Sequence, residues 1–347
     1  MTGFLFARFV KSLAICKGDP VGASAFAAAQ RWIDSDRIAS IHKAAAGALS
    51  TADMTAAMAP VSADLSEFLR ARTIVGRLPG LVRVPFRTRL LATTVGAAAG
   101  WVGEGKPIPV SSAELTGTEL QALKIATIAI LTRELIQMSS PVADMLIARE
   151  IGNAIATALD RQFVDPSYTG IADTSPPSIT SSSTQLSSSG STIAAIDADI
   201  KAMIQVLVDA NMSLDTAVFL MHPTTATGLA LKRNGDGGPA YPGMTSKGGV
   251  LAGLPVITST ALSSAGSPGE FNVVLLETSE IAVADDGASE ISYSSQASLQ
   301  LDNAPASGAQ QLISLYSNNL VAIRAVRMAN WQARRTGAAV VLRDVQF

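Results

Sequence analysis

The strongest periodicity in the chain lies in residues 139–164. Ile147, Ile151, Ile155, Leu159 and Phe163 recur every four positions, and Val142 and Leu146 extend the row. That spacing places one apolar stripe on a helix. Ser140 is the predicted N-cap, Pro141 suits the first turn, and Asp165-Pro166 stops the helix. At about 1.5 Å per residue such a helix spans roughly 35–40 Å, the longest rod in the molecule. A second helix is predicted from residue 193, with Ile193, Ile196, Ile200, Ile204 and Leu207 on one face.

Residues 1–60 read as an Ala-rich helical arm. Its helical segments fall near residues 4–15, 23–33 and 53–58, broken at Gly18-Asp19-Pro20 and at Gly47. The pattern shows no tight core face, which predicts an arm that lies across a neighbour or stays partly mobile. A short helix follows at residues 62–78, capped by Ser62, with Leu65, Phe68 and Leu69 on one face and Pro79-Gly80 as its end.

Period-two alternation then takes over. Val82, Val84 and Phe86 face one way and Arg83 the other. Strand-like segments at residues 87–95 and 119–130 flank a stretch that runs Gly100-Trp101-Val102-Gly103-Glu104-Gly105-Lys106-Pro107-Ile108-Pro109. Two strands with a long Gly/Pro-rich tip predict an extended hairpin. A hairpin alone is marginal in water, so it should rest on another surface, such as a second subunit. Residues 173–192 are Ser/Thr/Pro-rich and read as a linker. Beyond residue 217 the texture is α+β. Strands are predicted at residues 217–221, 254–258, 271–276, 280–284, 290–294 and 297–301, and in the tail at 320–328 and 338–345. A helix is predicted at 224–231, and Gly-rich loops at 234–238 and 247–253.

Composition adds one point. Of the 347 residues, 48% are hydrophobic but only 16% are charged, against about 25% in an ordinary soluble domain. Small residues fill the gap, so much of the surface is expected to be hidden against partners. A net charge of -2 gives none of the basic character of a nucleic-acid binder. The single cysteine, Cys16, excludes an internal disulfide and a Cys-based metal cage. Residues 4–15 are apolar but interrupted by Arg8 and Lys11, which reads as an amphipathic arm and not a signal peptide. No membrane-spanning run is present in the sequence.

Few residue patterns in the chain point to chemistry. The two histidines, His42 and His222, have no metal-type partner three or four residues away and read as structural. There is no Gly-x-Ser-x-Gly elbow and no phosphate loop of the Walker type. Gly100, Gly103 and Gly105 lead into prolines, not into a helix N-terminus that would hold a phosphate. No catalytic residue, cofactor or metal ligand is expected. Glu104 and Lys106, the charges at the hairpin tip, read as a solvated turn or as an intersubunit ion pair that sets register. Arg83, Arg87 and Arg89 cluster at the hairpin base as a solvated face, or as a contact to acidic residues of a neighbour or to packaged DNA.

The stretch Trp101-Val102-Gly103-Glu104-Gly105-Lys106-Pro107, with Ser111-Ser112 after it, resembles the extended loop of HK97-type phage capsid proteins. Lys124-Ile125-Ala126 and Thr132-Arg133-Glu134-Leu135 resemble the elements that follow, and Ser139-Ser140-Pro141 opens a helix like that family's spine helix, closed by Asp160-Arg161-Gln162-Phe163. Downstream, Phe219-Leu220-Met221-His222-Pro223 resembles a strand end where Asn is commoner than His222. Residues 229–239 and Gly249-Val250-Leu251-Ala252-Gly253-Leu254-Pro255-Val256 match two further blocks, so the ordered set covers about residues 80–345.

The resemblance implies an α+β, HK97-like capsid fold. Its parts would be an N-terminal arm (1–60), a peripheral domain (61–82, 128–170 and 316–347) with the spine helix at 140–164, an extended loop (83–127) and an axial domain (171–315). It implies a subunit that assembles into hexamers and pentamers of an icosahedral head around double-stranded DNA, made in the bacterial cytoplasm and resident in the virion. Its partners would be further copies of itself, packaged DNA touched non-specifically, and a scaffold or maturation protease, a portal or a decoration protein. No membrane partner would be involved. The assembly contacts would include Trp101, Glu104, Lys106, Arg83, Arg87 and Arg89. The competing readings are an encapsulin-like compartment shell, a hydrolase using Ser and His222, and a tail or adhesion module.

Overall fold

The structure, a computed structural model, describes residues 4–30, 32–47, 51–95, 114–137, 141–262, 271–300, 312–335 and 337–347. Helices come first: α1 (Phe4–Ile15), α2 (Pro20–Ala29), α3 (Ser35–Ala46), α4 (Thr51–Arg70) and α5 (Ile74–Arg77). Strands β1 (Val82–Arg83), β2 (Arg89–Val95), β3 (Glu114–Glu119) and β4 (Lys124–Thr132) lead to α6 (Arg133–Gln137) and the long α7 (Pro141–Val164). Then come β5 (Thr184–Ser187), α8 (Ile193–Asp209), β6 (Ala217–Met221), α9 (Pro223–Leu231), β7 (Met244–Thr245), β8 (Gly248–Leu251) and β9 (Leu254–Thr258). The chain finishes with β10 (Phe271–Glu277), β11 (Ile281–Ser294), β12 (Ser298–Gln300), β13 (Leu312–Ser314), β14 (Leu320–Ala333) and β15 (Ala339–Val345). By contacts the chain divides into two units, one of Met1–Gly76, Lys124–Leu159 and Gly287–Met328, the other of Arg77–Leu123, Asp160–Asp286 and Ala329–Phe347.

In the first unit the N-terminal helices do not form a loose arm. Phe6, Phe9, Val10 and Ala14 of α1 are buried, as are Ile38, Ile41 and His42 of α3. The sequence pattern looked loose because α1 touches α2, α4 and α6 and so is apolar on several sides, without a single stripe. Alanines do part of the packing: Ala23 and Ala27 of α2 are fully buried, where small side chains let helices approach closely. Asp19 caps α2 as its carboxylate accepts from the backbone N–H of Val21 and Gly22 at 3.0 and 2.9 Å. Helix α3 itself was not foreseen as a separate element.

The expected helix at 62–78 is instead two elements, the end of α4, which runs through Pro60 from Thr51 to Arg70, and the short α5. Ser62 is therefore not an N-cap. A proline inside a helix removes a hydrogen bond and crowds the preceding turn. Burial of Val61, Leu65 and Leu69 at four-residue spacing carries the helix past it. Helix α7 keeps the predicted bounds and buries Ile151, Ile155, Leu159 and Phe163; its predicted cap Ser140 lies outside the described residues. A Cβ at Gly152 would lie 2.4 Å from Cε1 of Phe68, so glycine there lets α4 approach α7. Arg72 then stacks on Phe68 at 4.1 Å and donates to Asn153 Oδ1. Strands β4 and β14 pair antiparallel over nine positions, from Leu320↔Thr132 to Met328↔Lys124.

The second unit is built on a seven-stranded sheet, order β5-β15-β10-β6-β9-β8-β7. Its centre is dry: every residue of β6 is buried, as are Val274, Leu275 and Leu276 of β10 and Val340 and Val341 of β15. Helix α8 covers one face through Ile196, Met203 and Leu207, starting at Thr192, whose hydroxyl accepts from Ala195 N. Three expectations change here. The linker at 173–192 contains β5, an edge strand parallel to β15, which a single apolar residue, Leu186, could not announce. The Gly-rich segment at 247–253 is strand β8 and its turn. The two short strands at 280–284 and 290–294 are one strand, β11.

Candidate assembly surface

The base of the extended hairpin is fixed from both sides. Thr278 donates its hydroxyl to the Pro79 carbonyl, and Gly80 follows with φ +74°. Strand β1 pairs parallel with β11, Val82↔Ala282 and Arg83↔Val283. Val84, Phe86 and Leu90 then turn inward onto buried Leu120, Ala282 and Ala284. Between them the chain turns sharply: Arg87 takes φ +62°, its N–H bonds the Leu120 carbonyl at 2.8 Å, and Thr88 Oγ1 donates to Pro85 O at 2.7 Å.

The hairpin itself is β2 against β3, from Arg89↔Glu119 to Val95↔Glu114, with a register shift between Thr93 and Val95. The return strand is therefore 114–119, not 119–130. The chain breaks at 120–123, where Leu120 is buried, and β4 belongs to another ladder. Among the described residues β2 and β3 pair only with each other.

Arg83, Arg87 and Arg89 are all exposed; of the three, the sequence alternation turns Arg83 outward. No ion pair joins any of the three to a described residue. Carboxylates lie near without neutralising them: Glu119 stands opposite Arg89 in the ladder, and Asp285 lines the same depression as Arg83, Val84, Pro85 and Phe86. These two acids were not singled out from sequence, because only the hairpin register and the β1–β11 pairing bring them there. Trp101, Glu104 and Lys106 lie outside the described residues, and with them the Gly-rich tip.

The histidines are structural in both places. His222 caps α9, its Nδ1 accepting from Thr224 N–H at 3.2 Å while the ring stacks on Phe271 with centroids 4.0 Å apart. That is the task an Asn side chain performs at an N-cap. Burial holds its pKa below the ordinary 6.5, which keeps the accepting lone pair. His42 is fully buried in the first unit, and burial lowers its pKa to about 4. Among the described residues no group of three or more His, Cys, Asp or Glu side chains could hold a metal ion. No described helix is long and apolar enough to cross a membrane.

The block Gly249–Val256 is a two-residue hairpin closed by Leu251↔Leu254. Ala252 and Gly253 both take positive φ, +51° and +83°, as a type I′ turn requires. Gly249 has φ +149°, and a Cβ there would lie 2.1 Å from Gly243 O.

The chain belongs to the phage capsid family, whose model matches residues 68–344. It is 38% identical over 371 residues to the capsid polyprotein of Pseudomonas phage PAJU2, covering 99% of this chain and 54% of that protein; it thus spans about half the length of that relative. It is 25% identical over 338 residues to the major capsid protein of Klebsiella oxytoca phage phiKO2, covering 94% of this chain and 74% of that one. Among solved structures it resembles a chain of Mycobacterium phage Ogopogo, with TM-score 0.58 and 20% identity over 79% of this chain and 92% of that chain. It also resembles a chain of Gordonia phage Cozz, with TM-score 0.54 and 17% identity over 76% and 84%. The fold is the α+β, HK97-type capsid fold.

Proposed function

We propose that this chain is a shell-building subunit that assembles into hexamers and pentamers of an icosahedral phage head enclosing double-stranded DNA, and that it carries no catalytic activity and no cofactor. The observation that carries the reading is the β2–β3 ribbon. A two-stranded ribbon is marginal in water on its own, and here each strand pairs only with the other among the described residues. A second copy supplies the surface it lies on. The unpaired arginines at its base are the proposed contacts, together with Trp101, Glu104 and Lys106, which lie outside the described residues. Weak contacts of this kind gain strength when each subunit makes several at once.

In this reading residues 83–127 form the extended loop, residues 171–315 the domain around the five- and six-fold axes, and residues 61–82, 128–170 and 316–347 the peripheral domain. Partners beyond the chain itself are a scaffold or maturation protease, a portal, a decoration protein and DNA held without sequence preference. The protein is placed in the virion capsid after assembly in the host bacterial cytoplasm. Nuclease treatment of particles purified from phage-producing cells tests the contents. Protected double-stranded DNA is expected; shells filled with a cargo protein and free of DNA would instead make it a compartment shell.

A further inference from the structure

In the first unit, α1 and α3 share a polar contact set in an apolar surround. The rings of Phe9 and His42 stack with centroids 4.2 Å apart and planes 11° apart. Ser12 Oγ lies 2.6 Å from His42 Nε2 and donates to the Phe9 carbonyl at 2.9 Å. A hydroxyl has one hydrogen. With that hydrogen on the Phe9 carbonyl, Ser12 accepts from Nε2–H, and Nδ1 keeps a bare lone pair. Nδ1 is buried and has no partner among the described residues. A second ring proton would therefore create a buried cation whose Nδ1–H has no acceptor.

We infer that the Phe9–Ser12–His42 contact is an acid-labile latch, closed while the imidazole is neutral and released on protonation, freeing α1 from the helices around it. The neighbouring charges are of both signs, and burial is what disfavours the cation. On α1, Lys11 is buried one residue from Ser12, and Arg8 is paired with Asp34. Helix α2 has no titratable group, and α3 itself adds Asp36, Arg37 and Lys43. On α4, Asp64 accepts from the Phe6 backbone N–H at 3.0 Å, and Glu67 and Arg70 follow toward its end; α6, which also packs on α1, carries Arg133 and Glu134. Because the folded pKa of about 4 lies below the ordinary 6.5, the latch is fully closed above pH 6.5 and weakens as pH falls from there toward 4.

Hydrogen exchange of the full chain tests this. Protection of the α1 amides, corrected for intrinsic rates, should fall on the order of a hundredfold between pH 7 and pH 4. His42→Phe keeps the stack on Phe9 but cannot titrate, and its α1 protection should stay flat over that range. Should His42→Phe fail to fold, His42→Gln keeps a donor for Ser12 and carries the same expectation. Flat protection in the unaltered chain would overturn the latch. So would an equal acid loss in the variants, which would assign the effect to Asp34 and Asp64.

Discussion

Phe163 and Trp331 meet edge to face, with ring centroids 5.3 Å apart, and the Trp331 indole N–H donates to the Pro177 carbonyl at 2.9 Å. The same loop holds the end of α7 by three further bonds: Ser178 Oγ to Phe163 O, Ile179 N to Phe163 O, and Thr180 Oγ1 to Val164 O. Carbonyls at a helix C-terminus lack partners within the helix, so these bonds satisfy them in a buried place. Replacing Trp331 by Phe keeps the ring and removes the N–H, and should cost about 1 kcal/mol of stability. Trp331→Ala should cost about 3–5 kcal/mol. Denaturant unfolding of the unassembled subunit measures both, and equal costs for the two variants would contradict the role given to the ring.

Gly249 is predicted to tolerate no side chain. The Cβ of Gly249→Ala would press on the Gly243 backbone oxygen at 2.1 Å, and backbone cannot rotate away. A loss of about 2 kcal/mol or more is expected. Ala252→Asn, at φ +51° in the neighbouring turn, should raise stability by up to about 1 kcal/mol, since Asn accepts that conformation more readily. Melting temperatures of the two variants should therefore move in opposite directions.

His222→Asn should leave stability within about 0.5 kcal/mol, whereas His222→Ala should cost about 1 kcal/mol by removing the cap. The pH dependence separates histidine from asparagine. The folded pKa of His222 lies below 6.5, so its contribution is present above that pH and is lost as pH falls through it toward the folded value. The difference in stability between the unaltered chain and His222→Asn should accordingly shift in favour of the variant as pH drops from 7 to 5. No shift across that range would contradict the capping role.

The arginines at the hairpin base make no ion pair within the described chain, so reversing them should spare the fold. Arg83→Glu, Arg87→Glu and Arg89→Glu together should leave the melting temperature of the subunit nearly unchanged while lowering the yield of assembled particles by tenfold or more. Sedimentation of variant and unaltered shells compares them. Normal assembly of the triple variant would remove these residues from the interface.

The elements legible in sequence were those with one dominant period and a chemical stop. Helix α7 showed its apolar row and Asp165-Pro166, and β9 showed its bounds to the residue. The alternation of Val84 and Phe86 with Arg83 matches what the structure shows at the hairpin base, where Val84 and Phe86 turn inward and Arg83 is exposed. What failed had physical reasons. Alanine packing in α1–α3 hides a core behind residues too small to mark a stripe. Ser62 reads as a helix start because the tertiary burial of Val61, Leu65 and Leu69, which carries α4 past Pro60, is not visible locally. Strand β5 is an edge strand held by backbone bonds to β15, so its side chains carry little signal. Glu119 and Asp285 reach the arginines only through strand register.

Electron microscopy of the purified full chain, expressed alone and with a co-expressed scaffold, shows whether it builds shells. Closed polyhedral shells, or rings of six and five subunits, are the predicted result. A uniform monomer under both conditions would contradict a shell-building role.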